Sequence, residues 1–502
     1  MNNNVKRLLI VGGGTAGWMT AASLARHFHG TGLEITLIES SAIGTIGVGE
    51  ATIPSIRRFY RDLGMRDENV MRATNATCKL AIRFDGWRKP GANFYHPFGL
   101  FGQDVRGIGF HHFWLRMHGL GATDDIEEYS LGVGLADAGK FTPPTPNPSS
   151  ALSIFDWALH FDASLYAGLM KDFAVANGVT AIDGLIEDVT LRPDDGFVES
   201  VTLNDGRTLS ADLFVDCSGF RGLLIEEALD TGYEDWSEWL FCDRAVAVQS
   251  DHDDPESAPA PYTRSIAHSA GWRWKIPLQN RQGNGYVFSS AHIGDDEALD
   301  TLKQYIGGEF RTEPRFIPFR PGRRRKAWNR NCIALGLAAG FLEPLESTSI
   351  ALIETGIEKI RLLFPDLSFN QHVIDEFNEM TALEYERVRD FIILHYALNG
   401  REGEPFWDQC RSAAVPDSLA HKMTLFRERG HLVKYRWEIF QSPSWIAIYH
   451  GFGFLPQRYD PAVDSFDIDY LQKVFREMRE SVRAAVDSVP SHGQFLAGLA
   501  QG

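Results

Sequence analysis

Five cysteines in 502 residues (Cys78, Cys217, Cys242, Cys332 and Cys410) lie scattered, with no CxxC pair. That pattern argues against a disulfide framework and reads as a reduced, cytoplasmic chain. The sixteen histidines show no HExxH or comparable ligand spacing, so no metal site is expected. His111-His112 then reads as local packing. No stretch approaches the roughly 20 apolar residues of a membrane span. Met1-Asn2-Asn3-Asn4 runs straight into a strand-like segment, which leaves no room for a signal peptide. Surplus basic charge is also missing. The formal net charge is −17, and the densest basic run, Arg320 to Lys326, is short enough to be a solvated loop. A nucleic-acid surface is therefore not expected. Neither an internal repeat nor a low-complexity tract is present. What remains is a chain long enough to bury a large core in more than one layer or subdomain.

The most informative segment lies near the start. Gly12-Gly13-Gly14-Thr15-Ala16-Gly17 follows the apolar run Leu8-Leu9-Ile10-Val11 and precedes the helix-like Trp18–Phe28. Strand, glycines and helix in that order form the context a GxGxxG fingerprint needs. The glycines permit a tight turn and let backbone N–H groups approach a pyrophosphate at a helix N-terminus. A second strand-like run, Ile35-Thr36-Leu37-Ile38, ends at Glu39, about 20 residues on, where a carboxylate can hold ribose hydroxyls. Gly44 to Thr52 is a second glycine-rich stretch, which suggests another backbone cradle containing Gly49 and Ala51.

Further along, Gly91 to Pro148 is rich in Gly, Phe, His and Pro and reads as an irregular insertion of the kind that carries binding residues. Val198–Leu203 turns at Asn204-Asp205-Gly206-Arg207, a hairpin signal. Asp212–Gly219 reads as a buried strand entering a tight turn. Beyond about Ile350 the spacing is helical. Tyr470-Leu471, Val474-Phe475, Met478, Val482 and Ala485-Val486 fall on one helix face. The expected fold class is α/β. Residues 1–350 are expected to form one discontinuous body with a substrate loop at about 91–148. Residues 351–502 are expected to add a largely helical region that contributes to the substrate pocket.

Four segments together resemble the flavin-dependent halogenases of the tryptophan-halogenase type. They are the first glycine loop, Gly47-Val48-Gly49-Glu50-Ala51-Thr52 with the following Lys79, Trp272-x-Trp274-x-Ile276-Pro277, and Phe341-Leu342-Glu343-Pro344-Leu345-Glu346-Ser347-Thr348. The resemblance covers most of the chain and implies a Rossmann-like, flavoprotein-monooxygenase-type FAD body. It implies FAD used as FADH2, with O2 and a chloride or bromide ion. A flavin hydroperoxide oxidises the halide to hypohalous acid, which travels through a tunnel to Lys79 and halogenates an electron-rich, indole-like ring. Glu346 is the implied second catalytic residue. Gly12, Gly14, Thr15, Ala16, Gly17, Glu39, Gly49, Ala51, Leu335 and Gly336 are the implied FAD contacts. Trp272, Trp274, Ile276 and Pro277 form the implied wall that keeps the organic substrate off the flavin. The halide is implied near Thr348 and Ser349, where the family commonly has a glycine in place of Ser349. With one dinucleotide fingerprint in the chain, a separate flavin reductase is the implied partner, and the oligomeric state is left open, a homodimer being one option.

Strand alternation by itself reads differently at one of these positions. In Cys78–Phe84 it sets Lys79, Ala81 and Arg83 on one face, the ordinary solvated side of a strand. The Ser347-Thr348-Ser349 run does read as a helix start, because Ile350, Ile353, Ile357 and Ile360 follow at helical spacing. His96 and Phe98 resemble the aromatic pair that sandwiches an indole, with Trp445 in the stretch that lines the same pocket. The tyrosine pair and nearby glutamate that hold tryptophan's amino-acid group in that family have no counterpart here: no Asp or Glu lies between Glu438 and Asp460. Two other readings stand beside the halogenase: a flavin monooxygenase that hydroxylates an aromatic ring, and a non-catalytic protein that binds flavin or an aromatic ligand.

Overall fold

The computed structural model describes residues 3–42, 50–123, 125–147 and 150–501. The chain divides into two interleaved compact units. The first contains residues 1–75, 161–238 and 318–386, and the second 76–160, 239–317 and 387–502.

The first unit is built on a six-stranded sheet. Its order is Trp328–Asn329, Cys332–Ala334, Leu213–Asp216, Arg7–Val11, Glu34–Glu39 and Thr180–Asp183. The central strand Arg7–Val11 pairs in parallel on both sides, Ile10 lying opposite both Val215 and Leu37. Leu8, Leu9, Ile10 and Val11 are all buried, as expected where both faces of a parallel sheet are covered. The helix Thr15–His27 packs against Ala163–Ala176 and Ser349–Leu362. Val198–Leu203 and Thr208–Ser210 form the expected hairpin, its Gly206 at φ +85° and its N–H on the Leu203 carbonyl. After Leu213–Asp216 the chain turns at Gly219. The buried Asp216 carboxylate accepts N–H bonds from Ser218, Leu224 and Ile225 at 2.8–2.9 Å. The last two lie in the first turn of the π-helical segment Leu223–Ala228, so a strand-end carboxylate satisfies two of its free donors.

The second unit carries a seven-stranded sheet. Its order is Arg315–Pro318, Arg244–Ser250, Gln282–Phe288, Gly271–Pro277, Tyr262–His268, Ala81–Asp85 and Asn93–Pro97. Helices follow to the C-terminal side, including Pro405–Ser412, Asp417–Arg429, Ser442–Gly451, Ile468–Ser488 and His492–Gln501. Within Ile468–Ser488 the expected face is realised at Leu471, Phe475 and Val482, which are buried. Tyr470 departs from it and is 58% exposed. The 91–148 segment is more regular than its composition suggests. It holds the strand Asn93–Pro97 and the helices Phe110–Gly119 and Leu131–Asp137. Phe110, His111, Phe113, Trp114 and Met117 are buried on one helix, a 3–4 spacing carried by aromatic and histidine side chains. Among the described residues no helix is long and apolar enough to cross a membrane.

One buried ion pair tests how the first unit is held. Lys359 Nζ sits 2.5 Å from Glu384 Oε2, both almost fully enclosed, and Thr355 Oγ1 donates to the same oxygen at 2.8 Å. Removing one partner leaves the other charge buried without compensation. Lys359→Met is therefore expected to cost about 3–5 kcal/mol in urea denaturation, and Lys359→Met/Glu384→Leu to recover much of it. A double variant as unstable as the single one would show that the charge pairing is not what matters there.

Candidate functional site

In the first unit the glycine loop is shaped by what its residues lack. Gly12 has φ +111°, and a Cβ there would lie 2.2 Å from the Cys217 carbonyl oxygen. A Cβ on Gly17 would lie 1.8 Å from the Gly12 carbonyl oxygen, and one on Gly13 would strike Glu39. Gly14 is the N-cap of the helix Thr15–His27 and offers no side chain to its first turn, which contains Thr15, Ala16 and Gly17. Space around a Cβ on Gly14 is open for 4 Å. The result is a tight strand–turn–helix cradle whose backbone donors are available to a phosphate. Glu39 stands beside it. Its carboxylate accepts from Trp18 Nε1 at 3.0 Å and from Lys171 Nζ at 2.5 Å, which still leaves lone pairs for ligand hydroxyls. Gly336, at φ +61°, would bring a Cβ to 2.9 Å from the Ala16 side chain, so Leu335-Gly336 lies against the same helix start. Ala51 is buried in the short strand Glu50–Ala51. Gly49 lies outside the described residues. These residues fit a dinucleotide. Among the described residues no group of three or more His, Cys, Asp or Glu is arranged for a metal ion.

The same unit holds the Glu346 segment. Pro344–Glu346 is a single 3₁₀ turn, and Glu346 is 1% exposed. Ser347 takes the left-handed conformation at φ +58°, uncommon for a residue with a Cβ. It redirects the chain into the helix Ser349–Leu362, which begins where the serine–threonine run predicts. Thr348 is the N-cap and is buried, but its hydroxyl makes no capping bond. The first turn, with Ser349 half-buried, therefore keeps its positive end available to an anion.

In the second unit the 77–85 stretch is two strands rather than one. Thr77–Lys79 pairs with Ala158–Phe161, Lys79 opposite Ala158. Ala81–Asp85 belongs to the seven-stranded sheet. The switch occurs at Leu80, whose N–H goes to the Pro261 carbonyl. Simple alternation therefore fails, and Lys79 is completely enclosed instead of solvated. Its ammonium stands 5.2 Å from the centroid of Phe98, half-buried. His160, across the strand pair, is held well below its usual pKa, first by burial and then by Lys79 and His492.

The tryptophan segment is the strand Gly271–Pro277. Trp272, Trp274 and Ile276 share one face and are 1%, 6% and 7% exposed; Pro277, at the strand's end, is also buried. The two indoles lie 6.2 Å apart, and neither indole N–H has a hydrogen-bond partner among the described residues. Gly285 lies directly across from Trp274, and a Cβ there would come within 2.1 Å of its ring. The neighbouring strand thus makes room for the ring by having no side chain.

His96 and Phe98 come together, with ring centroids 6.4 Å apart and planes at 60°. A flat ring between two parallel faces needs about 7 Å, twice the carbon–carbon contact distance, so one of the two side chains has to turn for a sandwich to form. Sequence reasoning missed the rings behind them. Phe391 and Phe440 stack at 3.9 Å, and His96 packs on both. Their positions, 295 and 344 residues after His96 by the numbering, carry no shared local pattern. Trp445 is buried behind that stack. Its ring meets Phe391 edge-on at 5.0 Å and its N–H goes to the Phe440 carbonyl. Lys422 Nζ lies 4.2 Å over the Trp445 ring and pairs with the half-buried Glu438 at 2.6 Å. The acid nearest in sequence to this pocket is thus committed to a lysine.

The tryptophan halogenase family profile matches residues 7–468. The chain is similar to the tryptophan 6-halogenase SttH of Streptomyces toxytricini, 35% identical over 99% of each protein. Among solved structures it resembles BrvH, a flavin-dependent halogenase from Brevundimonas sp. BAL3. Identity there is 58%, with a TM-score of 0.96, over 99% of this chain and 100% of the other. It also resembles Xcc4156, a flavin-dependent halogenase from Xanthomonas campestris, at 42% identity and a TM-score of 0.94, over 99% of this chain and 98% of the other.

The cradle makes a direct prediction. Gly12→Ala puts a methyl group against the Cys217 carbonyl at a backbone angle that only glycine adopts readily. The variant is expected to lose FAD binding by fluorescence titration; affinity close to that of the unaltered protein would show that this turn does not hold the cofactor.

Proposed function

This chain belongs to the tryptophan halogenase family, and from that premise we propose that it is a flavin-dependent halogenase acting on a small, electron-rich, indole-like aromatic. The observation that carries this reading is the complete burial of Lys79 next to an aromatic ring, in a chain that also holds a dinucleotide cradle. FADH2, delivered by a separate reductase, supplies together with O2 the oxidising power that turns a halide into hypohalous acid. The proposed flavin contacts are Gly12, Gly14, Thr15, Ala16, Gly17, Glu39, Gly49, Ala51, Leu335 and Gly336.

This chain's own residues then do four things. Trp272, Trp274, Ile276 and Pro277 present bulk without an exposed polar atom, which keeps an organic ring from oxidation at the flavin. The helix start at Thr348 and Ser349 favours a halide; a helix dipole contributes about 0.3–1 kcal/mol to an anion at an exposed site. Lys79 hydrogen-bonds or captures the oxidant. Glu346 stabilises the cationic ring intermediate or takes the proton lost as aromaticity returns. His96, Phe98 and Trp445 shape the ring site. Burial of Lys79 and the enclosure of Glu346 favour halogenation over simple ligand binding, which needs neither group. Hydroxylation is separated from halogenation by whether product formation requires halide.

Lys79→Ala is expected to abolish halogenation while flavin binding and reduced-flavin oxidation continue. Mass spectrometry of the products with a reductase supplied reads this out, and a variant that halogenates near the normal rate would remove Lys79 from the mechanism. In equal bromide and chloride, brominated product is expected to predominate, since bromide sheds water and is oxidised more easily. A mainly chlorinated product would count against this expectation.

Indole is expected to be a better substrate than free tryptophan. Glu438, the acid nearest in sequence, is already paired with Lys422, and an ammonium brought in without a partner loses solvation without compensation. Discrimination of that kind can be large. The comparison is kcat/KM for the two under one reductase system, and a clear preference for tryptophan would require an ammonium partner that this reading lacks.

A further inference from the structure

The Ala76–Leu80 stretch is fastened at every residue around Lys79 by groups of its own unit. Gln279 Nε2 donates to the Ala76 carbonyl at 2.7 Å. Leu80 donates to the Pro261 carbonyl and accepts from the Phe98 N–H, both at 2.8 Å. The remaining side-chain fastenings run through the Thr77 hydroxyl and two histidines, to which the proposed reaction assigns no role.

His492 opens the helix His492–Gln501. Its Nε2 accepts the Cys78 N–H at 3.2 Å, and its Nδ1 lies 2.7 Å from the Pro259 carbonyl oxygen. A carbonyl can only accept, so Nδ1 carries the proton and Nε2 is the acceptor. His160 reaches the same result by another route. Thr77 Oγ1 lies 2.6 Å from the Pro277 carbonyl and 2.9 Å from His160 Nδ1. The hydroxyl has one proton and the carbonyl must receive it, so His160 donates from Nδ1. Its Nε2 then accepts from Thr263 Oγ1 at 2.9 Å. Both rings have no exposed surface. Burial pushes His492 down to about 4. The titratable groups facing His160 are Lys79 and His492; His492 also faces the Phe141 ring at 6.0 Å.

We propose that His492 and His160 are positioning residues for Lys79, two neutral Nδ1-protonated imidazoles that fix the backbone leading into it. The inference rests on the assignment of Lys79 as the group that handles the oxidant. Residues 259–261 grip Lys79 from both sides: Pro261 through the Leu80 N–H, and Pro259 through His492 to the Cys78 N–H. Thr77 ties the same strand to Pro277, the end of the tryptophan strand, and His160 ties Thr77 to Thr263. With its neighbours held, Lys79 keeps only its side-chain torsions. A displacement of about 1 Å at a reacting group costs on the order of 100-fold in rate. Neutrality matters as well, because an imidazolium could not accept the Cys78 N–H.

The test compares three variants with indole, bromide and a flavin reductase. His492→Phe keeps a ring and removes both hydrogen bonds. His492→Asn keeps a donor and an acceptor side by side, the pair that the neutral imidazole uses. His492→Phe is expected to lower the halogenation kcat by about tenfold or more, with KM for indole, flavin binding and reduced-flavin oxidation within about threefold. His492→Asn is expected to restore most of kcat. Lys79→Ala runs alongside: if it still halogenates, the assignment of Lys79 fails. If Lys79→Ala is inactive while folded His492→Phe keeps full kcat, the positioning role is overturned. It is also overturned if His492→Asn is as slow as His492→Phe, or if flavin oxidation falls in step with halogenation. Should His492→Phe not fold, ¹⁵N-histidine NMR of the unaltered protein decides. Nδ1–H tautomers that do not titrate between about pH 5 and 8 are expected; an Nε2–H tautomer, or titration in that window, overturns the proposal.

Discussion

Complete burial of Lys79 is the constraint that organises the second unit. An amine taken out of water must have its lost hydrogen bonds and solvation replaced by the protein, whichever protonation state it holds. The surroundings answer with an aromatic face at Phe98 and with histidines kept uncharged by burial. They answer also with backbone. The chain leaves one sheet and enters another at Leu80, and that change turns a residue that alternation would expose into an enclosed one. Burial, sheet switching and imidazole neutrality are thus three aspects of one requirement.

The first unit obeys a different rule, that of close approach. Gly12, Gly17 and Gly336 each stand where a single methyl group would collide with a neighbouring atom. Only the demand of Gly17 on Gly12 is local; Gly12 meets Cys217 and Gly336 meets Ala16, far along the chain. Other features of this unit do show in the sequence. The strand–glycine–helix order, Glu39 at the end of the second strand, the Asn204–Arg207 hairpin and the helix start after Thr348 could all be read from spacing. Their geometry is set by residues within a few positions of one another.

What escaped the sequence depends on distant contacts. Lys79 looked solvated because period-2 reasoning assumes an unbroken strand, and nothing local announces the break at Leu80. The 91–148 segment looked irregular because its helix Phe110–Gly119 is written in aromatic and histidine residues rather than aliphatic ones. Tyr470 fitted a helix face by spacing yet is exposed. Phe391 and Phe440, stacked behind His96, belong to segments far along the chain. His492 sits in His492-Gly493-Gln494-Phe495, a tetrapeptide with no motif to mark it. The pairing of Glu438 with Lys422 was equally silent, although the shortage of acids after Glu438 already pointed to the same pocket chemistry.

The bond between Cys78 and His492 spans 414 positions of the chain. A ribosome adding about 5–20 residues per second needs roughly 20–80 s to cover that distance. Throughout that interval the strand bearing Lys79 exists without the ring that closes on it. Biosynthesis thus has a built-in order: the cradle's Gly12–Glu39 turn can form early, and the lysine strand is completed late. The strand that carries Lys79 gains its final geometry only after nearly all the surrounding protein has been made.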